Sequence, residues 1–413
     1  MKKVIVIGAG ASGLVSAILL ARNNIEVTLV ERLNSVGKKL LATGNGRCNL
    51  SNTQISPSKF HSSYKGEFFL PIERFGLEKT LQFFEELGII PLVENNKVYP
   101  LSEQATSVVD VLRLEVENLN IKLMSEFEVN KIIAPTKNKP MFIVEGVQQE
   151  ATIQLKSENV IVATGGLAGI PVENLSYNFI SKLGHTITPL LPTLVHLSSS
   201  SPHCKYMQGV RVQTVVKIYE KNKLLREEKG EVLFTKDGLS GPPIFQVSRV
   251  ASICLQKKSS CYVTLDLCPN YLQDEVVEKI YTRITNFPTR KISDLLVGWI
   301  NSKVASRLLK DIEKSDVRTL DSLDYTEVEQ LAKVLKSFKF EIISTRDFKF
   351  AQSTIGGVKL EEVDLNTMKS KIIQGLYFTG EVLDVDGDCG GYNLQWAWST
   401  AFVASEHIIS EEK

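Results

Sequence analysis

The pattern of apolar and polar positions is clearest over the first 32 residues. Val4 to Ile7 is a β-branched run, residues 8–13 (GAGASG) form a glycine-rich turn, Leu14 to Arg22 has apolar residues at helical spacing, and Glu26 to Val30 alternates as a strand does. This succession predicts a βαβ unit at the start of the chain.

The glycines of this unit stand where dinucleotide binding requires them. Gly8 permits a tight turn after the strand, Gly10 lets backbone approach a pyrophosphate, and Gly13 lets the helix pack closely on the strand. The pyrophosphate is expected at the N–H groups of the helix N-terminus. Glu31 ends the second strand, where it can accept hydrogen bonds from ribose hydroxyls and would repel a 2′-phosphate. The unit therefore predicts a nucleotide site that disfavours NADP.

A segment of small and polar residues follows over 37–52, with little helical periodicity. It carries Lys38, Lys39 and Arg47, which could neutralise a pyrophosphate. Loops of this length inside compact domains usually serve function, although a solvated surface loop is the alternative.

Further along the chain, the pattern predicts helices over 75–87 and 102–119. Buried strands over 159–166 and 375–381 each run into a glycine turn. Thr164 and Gly165, in the first of these turns, offer a second close approach of backbone to a cofactor.

The pattern changes near residue 192. A β module is predicted over about 192–270 and a helical segment over about 271–343, after which the strand pattern of the first domain returns. The sequence thus predicts one domain built from residues 1–191 and 344–413, interrupted by an inserted substrate or cap domain over 192–343.

Composition restricts the classes of function. The 413 residues contain 48 Lys+Arg and 47 Asp+Glu. The resulting net charge of +1 provides no electrostatic attraction for nucleic acid or an anionic membrane. The apolar run before Gly8 is too short for a signal peptide, and no stretch reaches the roughly 18 apolar residues of a membrane span. Six scattered cysteines without a CxxC pair predict neither a metal site nor a disulfide framework. A cytoplasmic protein without nucleic-acid or membrane partners is expected.

Several segments together carry a family likeness, namely GAGASGL, VER, GKKLLATGNGRCNLSN, VIVATGG, GEVLFTKDGLSGPPIFQVSR, TIGGV and GLYFTGEVLDVDGDCGGYNLQWAWSTA. With them, essentially the whole chain resembles the BaiN-like NAD(P)/FAD-dependent oxidoreductases of bacteria, also described as aminoacetone-oxidase-type FAD-binding enzymes. The resemblance implies an α/β fold in which both chain ends form a glutathione-reductase-type FAD-binding Rossmann domain. An inserted domain, β-barrel-like and helical, separates them.

The resemblance also implies which residues contact FAD. These contacts extend from the pyrophosphate and ribose, through the diphosphate and adenine, to the ribityl chain and isoalloxazine. The contacting residues are Gly8, Gly10, Ala11, Ser12, Gly13, Glu31, Arg32, Lys39, Thr43, Gly44, Asn45, Arg47, Val129, Thr164, Gly165, Gly380, Glu381, Gly391, Tyr392 and Asn393. The helix that begins after Gly391 would direct its N-terminus at the pyrimidine side of the ring, which favours anionic reduced flavin.

Acid/base candidates are few in this site. His185 and His196 flank the crossing into the inserted domain, but a lone histidine is more often structural. Cys48 and Cys389 both fall in motifs expected to line the flavin, yet the absence of a closely spaced pair disfavours a redox-active disulfide.

These observations predict an FAD-dependent oxidoreductase that transfers hydride between the flavin and a small organic substrate, with NAD(P)H as a candidate donor. A second GxGxxG unit is absent from the sequence, so a nicotinamide would bind transiently at the flavin face, or electrons would pass from substrate to dioxygen. Three alternatives are an aminoacetone-type oxidase that produces peroxide, a non-catalytic flavin-binding regulator, and a flavin-dependent RNA-modifying enzyme, which the net charge disfavours.

Overall fold

The computed structural model describes residues 2–169, 176–310 and 318–412. The chain divides into two compact units, one formed by Met1–Leu191 with Gln352–Lys413 and the other by Pro192–Ala351. The return to the first unit falls at Gln352, later than the predicted 344, because a strand over Phe338–Thr345 belongs to the barrel of the second unit. Residues 311–317 of the predicted helical segment lie outside the described residues.

The first part of the chain supplies most of the first unit. Its strands are β1 (Lys3–Ile7), β2 (Glu26–Val30), β3 (Ser51–Asn52), β4 (Phe60–His61), β5 (Pro91–Glu94), β6 (Lys97–Pro100), β7 (Lys122–Met124), β8 (Glu128–Ile133), β9 (Phe142–Gln148), β10 (Ala151–Ser157) and β11 (Asn159–Val162). Its helices are α1 (Ala11–Arg22), α2 (Lys38–Ala42), α3 (Leu70–Arg74), α4 (Leu77–Glu86), α5 (Ala105–Asn118) and α6 (Ser176–Lys182).

The middle of the chain forms the second unit. Its strands are β12 (Leu191–Thr193), which begins at the crossing, β13 (Leu197–Ser199), β14 (Arg211–Glu220), β15 (Lys223–Thr235), β16 (Gly238–Ser240), β17 (Cys261–Asp266) and β18 (Phe338–Thr345). Its helices are α7 (His203–Tyr206), α8 (Pro242–Gln256), α9 (Gln273–Asn286), α10 (Ser302–Leu309) and α11 (Tyr325–Lys336). Six of the strands close into a barrel in the order β13-β16-β15-β14-β17-β18. A barrel with associated helices is the architecture that the family resemblance implies for the insert.

The end of the chain completes the first unit. It consists of β19 (Ser353–Ile355), β20 (Val363–Asp364), β21 (Lys369–Ser370), β22 (Leu376–Phe378), β23 (Asp386–Gly387) and α12 (Tyr392–Ser410). Strand β22 pairs in parallel with β11, and the sheet runs β20-β21-β22-β11-β1-β2-β7. Both chain ends therefore share one sheet, which confirms the predicted Rossmann-type fold.

The core of the first unit follows from uninterrupted apolar runs. Residues 4–7 of β1 and 160–162 of β11 are apolar and all buried, as expected for parallel strands covered on both faces. Helix α12 is apolar around most of its circumference, so it is buried rather than amphipathic. Among the described residues, no helix is long and apolar enough to cross a membrane.

Two local predictions differ from the structure. The segment over 37–52 was expected to lack helix, but it forms α2 and a turn of 3-10 helix over Thr43–Gly46. The short length of α2, five residues, explains why no periodicity is visible. Helix α5 begins at Ala105, three residues later than the predicted start at 102.

Candidate cofactor site

The glycines of the turn after β1 serve two purposes. Some are required because protein backbone packs against them, and one leaves space for a ligand. A Cβ on Gly13 would lie 1.8 Å from the carbonyl oxygen of Gly8, and a Cβ on Gly8 would lie 2.6 Å from the carbonyl oxygen of Ala163. Both positions thus need glycine because protein backbone approaches them. A Cβ on Gly10, in contrast, would meet no protein atom within 4 Å. Open space beside Gly10, at the start of α1, is where a pyrophosphate is expected.

Glu31 is fixed at the end of β2 by backbone donors. Its Oε2 accepts a hydrogen bond from the N–H of Ala9 (2.8 Å), and its Oε1 accepts one from the N–H of Leu33 (2.8 Å). Each oxygen keeps a further lone pair for a ribose hydroxyl. Arg32 follows on the chain and is half-buried, and Val129 is buried in β8 beside a β-bulge.

The cations of the 37–52 segment are held by carboxylates. Lys39 forms an ion pair with Glu381. Arg47 forms ion pairs with Glu94 (2.7 Å) and Glu103 (3.0 Å). Two of the three cations that the sequence suggests for neutralising a pyrophosphate are therefore already paired within the protein.

The backbone of the same segment has an unusual conformation. Gly44 (φ 58°) and Asn45 (φ 57°) are both left-handed, and both are exposed. The Oγ1 of Thr43 donates to the carbonyl oxygen of Leu40 (2.6 Å), so this hydroxyl closes α2. Lys38 is exposed at the start of that helix.

Residues from the end of the chain join the glycine turn. The Oγ of Ser12 donates to the carbonyl oxygen of Thr379 (3.2 Å), and Gly380 is left-handed (φ +77°) beside this serine. Glu381 follows, and its Oε1 accepts a hydrogen bond from the N–H of Thr354 (2.9 Å). The carboxylate of Glu381 is thus fixed by a backbone N–H on one oxygen and by Lys39 on the other.

The start of α12 is built by close backbone contact. Gly391 has φ +95°, and a Cβ there would lie 2.5 Å from the carbonyl oxygen of Ser51. The side chain of Asn393 forms two hydrogen bonds with the backbone of Gly387. Its Oδ1 accepts from the N–H of Gly387 (2.8 Å), and its Nδ2 donates to the carbonyl oxygen of Gly387 (2.9 Å). The amide of Asn393 therefore supports the turn. Tyr392 is 5% exposed.

Buried polar atoms without protein partners test whether a dinucleotide fits here. The Oδ1 of Asn49 and the Oγ1 of Thr164 are buried and make no hydrogen bond. Leaving such an atom unpaired costs about 1–3 kcal/mol, so a ligand partner is expected. A Cβ on Gly165 (φ +69°), like one on Gly10, would meet no protein atom within 4 Å. These features fit a bound FAD.

Each unit contains one of the two predicted acid/base histidines. His185 is buried in the first unit, where its Nε2 lies 3.0 Å from the Oγ of Ser370 and its Nδ1 lies 3.3 Å from Glu362. Burial lowers its pKa despite the attraction of Glu362. His196 belongs to the second unit, where burial, followed by the charge of Arg346, lowers its pKa. His185 is thus held by structural contacts rather than presented to solvent.

The two cysteines in the motifs expected to line the flavin, Cys48 and Cys389, are poor nucleophiles. Burial raises the pKa of the Cys48 thiol to about 11 and also raises the pKa of Cys389. Since the thiolate is the reactive form, neither residue is activated at neutral pH.

Sequence reasoning missed several residues of this site. Asn49 lies within the recognised GNGRCNLSN motif, but its buried, unpaired oxygen depends on the fold. Trp396 and Trp398 are both buried in α12. Their indole N–H groups donate to the carbonyl oxygens of Gly380 (3.2 Å) and Leu50 (2.9 Å). The pair His61 and Asp388 was missed entirely, because 327 positions separate its members.

The fold and this site define a Rossmann-type, FAD-dependent oxidoreductase. The chain belongs to the family described as HI0933-like protein Rossmann domain, whose model matches residues 2–407. The predicted family, fold class, cofactor and enzyme class are thereby confirmed.

Curated relatives match along the whole chain. It is 34% identical over 411 residues to the 3-dehydro-bile acid delta(4,6)-reductase of Clostridium scindens, with 98% of each chain covered. It is 28% identical over 409 residues to the ribosomal RNA dihydrouridine synthase of Haemophilus influenzae, again with 98% of each covered. Among solved structures, 3-ketosteroid delta1-dehydrogenase from Sterolibacterium denitrificans shares the fold, with a TM-score of 0.52, 11% identity and 100% of each chain covered.

Proposed function

We propose that this enzyme reduces a carbon–carbon double bond conjugated to a carbonyl group in a small organic substrate, with NAD(P)H as the electron donor. The observation that carries the proposal is the end-to-end match to a 3-dehydro-bile acid delta(4,6)-reductase. By its name, that relative reduces ring double bonds of a compound that carries a carbonyl at position 3. Dihydrouridine likewise differs from uridine by saturation of a ring double bond conjugated to a carbonyl, so two differently named relatives share one bond type.

The composition favours a small substrate over RNA. RNA-binding proteins neutralise phosphates with clustered Lys and Arg, whereas this chain has a net charge of +1. The 34% identity to the bile acid relative also exceeds the 28% identity to the RNA-modifying one. We therefore place ribosomal RNA second, as an outcome that the experiment below can detect.

In this proposal, fixed groups of the protein hold FAD. The N–H groups at the start of α1, from Gly10 to Gly13, would bind the pyrophosphate, and Glu31 would bind the ribose. Glu381 would bind the ribityl hydroxyls, since two partners hold its carboxylate in place. The unpaired Oγ1 of Thr164 would gain a partner on the dinucleotide. Hydride transfer is the chemistry that FAD supplies when bound.

At the start of α12, the predicted contacts to the flavin would be made by backbone N–H groups in this proposal. Asn393 offers an N–H in the first turn of α12, because its side chain is used by Gly387. The helical hydrogen bonds of α12 begin with Gln395, whose N–H donates to the carbonyl oxygen of Gly391 (3.0 Å). The N–H groups of residues 392–394 come before this bond and have no acceptor within the helix. That end of the helix would carry partial positive charge toward the flavin.

The test is anaerobic spectroscopy of the protein reconstituted with FAD. NADH or NADPH should bleach the flavin band, and a conjugated enone such as 4-androstene-3,17-dione should restore it and gain two hydrogens by mass spectrometry. Restoration by a uridine-containing ribosomal RNA fragment, and not by enones, would favour the second candidate. Bleaching by aminoacetone with peroxide on readmission of air would indicate an oxidase. A flavin that no donor reduces would contradict the proposal and indicate a regulator.

A further inference from the structure

A histidine of β4, His61, is hydrogen-bonded to a buried carboxylate, Asp388, that lies shortly before α12 in the chain. Strands β4 and β23 pair in antiparallel fashion, with His61 opposite Asp386 and Phe60 opposite Gly387. The Nε2 of His61 lies 3.0 Å from the Oδ1 of Asp388. Asp388 precedes Gly391 by three residues, so this pair borders the helix start at which the flavin ring is expected.

The carboxylate of this pair is fixed, whereas the imidazole reaches solvent. The side chain of Asp388 is 5% exposed and that of His61 is 25% exposed. The Nζ of Lys59 lies 3.7 Å from the Oδ2 of Asp388, and the N–H of Asp388 donates to the carbonyl oxygen of Lys59 (2.9 Å). The ring of Phe60 packs edge-on against Tyr392, which joins β4 to the first turn of α12 (centroids 5.7 Å apart). The imidazole is therefore held in place, partly exposed, beside the first turn of α12.

The contact to Asp388 favours one tautomer of His61. A carboxylate at Nε2 accepts a hydrogen bond from that nitrogen, which leaves Nδ1 as the ring nitrogen that Asp388 does not contact. Within residues 2–169, 176–310 and 318–412, no protein group forms a hydrogen bond to Nδ1 of His61. His407 is different, since its Nδ1 lies 3.0 Å from the hydroxyl of Tyr377.

We propose that His61 is the catalytic proton donor of the double-bond reduction and that Asp388 is its positioning residue. This inference rests on the proposed function. A hydride adds to the β-carbon of the conjugated substrate, and the π electrons of the double bond move toward the carbonyl oxygen as an enolate. The N–H bond at Nδ1 of protonated His61 breaks, its proton forms the new C–H bond at the α-carbon, and the imidazole regains a proton from solvent. The substrate gains one hydride and one proton, and NAD(P)H supplies the two electrons.

Separating the two half-reactions tests this role. Rapid mixing under anaerobic conditions would follow flavin bleaching by NAD(P)H and then recovery on adding the enone, for wild type, His61→Ala, His61→Gln and Asp388→Asn. Loss of a general acid typically costs about 10²–10⁴-fold. We expect the His61 variants to lose that factor in recovery alone, with bleaching unchanged, and Asp388→Asn to show a smaller loss in the same step. His407→Gln, at another partly exposed histidine of the first unit, should leave both steps unchanged.

A second readout does not depend on turnover. Nitrogen-15 NMR of the FAD-free protein should show His61 as the Nε2–H tautomer, and Asp388→Asn should shift it toward a mixture. Thermal unfolding and FAD affinity of each variant verify that it folds. If wild-type flavin recovers with an enone and the His61 variants recover at the same rate, the inference is wrong and the proposed function stands. If no conjugated carbonyl compound restores wild-type flavin, the proposed function fails and the inference fails with it. An unchanged tautomer in Asp388→Asn would overturn the positioning role.

Discussion

Alanine at Gly10 and alanine at Gly13 should have opposite consequences for this protein. At Gly13 the new Cβ would lie 1.8 Å from the carbonyl oxygen of Gly8, whereas 3.0 Å is the closest approach that real Cβ atoms show, so backbone must move by about 1.2 Å. At Gly10 the new Cβ has no protein atom within 4 Å, and the local backbone is extended (φ −83°, ψ −163°), which alanine adopts without strain.

The magnitudes follow from these contacts. Overpacking costs about 1–3 kcal/mol and occasionally more, so Gly13→Ala should destabilise the FAD-free protein by at least that amount. Each kcal/mol lowers Tm by about 2–4 °C in a domain of roughly 150–250 residues. Gly10→Ala should leave the Tm of the FAD-free protein unchanged. If the methyl group of Gly10→Ala instead overpacks against the bound pyrophosphate by the same range of about 1–3 kcal/mol, the Kd of this variant for FAD rises about 5- to 150-fold.

The assay is calorimetric titration of FAD into FAD-free protein, combined with thermal unfolding of the same samples. The two variants serve as controls for each other, because they add the same methyl group to the same turn. The reasoning would be refuted if Gly10→Ala bound FAD as tightly as wild type, since the open side of Gly10 would then not face the cofactor. It would also be refuted if Gly10→Ala melted as early as Gly13→Ala.

Three further predictions concern buried groups. Gln395→Ala should lower the free energy of unfolding by about 1–3 kcal/mol, because the Oγ of Ser51 (2.6 Å) loses its buried acceptor; denaturant titration against the exposed control Gln352→Ala checks this, and equal midpoints would contradict it. Cys48 should resist iodoacetamide at neutral pH in the folded protein, since burial raises its pKa to about 11, and peptide mapping that finds it alkylated would exclude this environment. His185, whose pKa is lowered below 6.5 by burial, should contribute stability above pH 6.5 that is lost as the pH falls below it. His185→Gln should therefore flatten the fall in Tm on acidification, and an unchanged slope would show that this histidine is not responsible.

The sequence predicts those parts of the site whose contacts are local. The glycine turn, α1 and Glu31 lie within 31 residues, and each glycine has a steric reason that pattern and spacing reveal. The pairing of both chain ends in one sheet was inferred through resemblance, and the parallel contact of β22 with β11 confirms it.

The contacts that the sequence could not predict are those made by topology. Lys39 meets Glu381 across 342 positions, and His61 meets Asp388 across 327. No local spacing encodes such pairs, so Lys39 looked available for a phosphate and His61 looked unremarkable. Asn393 is predicted as a flavin contact through the resemblance, and the structure shows that its side-chain amide is hydrogen-bonded to the backbone of Gly387, six residues earlier.

Several charged side chains of the proposed site are paired within the protein. Glu381 forms an ion pair with Lys39, Asp388 lies 3.7 Å from the Nζ of Lys59, and Arg47 forms ion pairs with Glu94 and Glu103. We therefore expect the diphosphate of FAD to meet mainly backbone N–H groups at the start of α1 rather than mobile cations. Backbone groups are already ordered by folding, so they lose little conformational entropy when the ligand arrives, whereas a long Lys or Arg side chain loses up to about 2 kcal/mol. We therefore expect a site built from both ends of the chain to owe its anion selectivity to fixed backbone dipoles, whereas the pairs of Lys39 with Glu381 and of Lys59 with Asp388 join those ends.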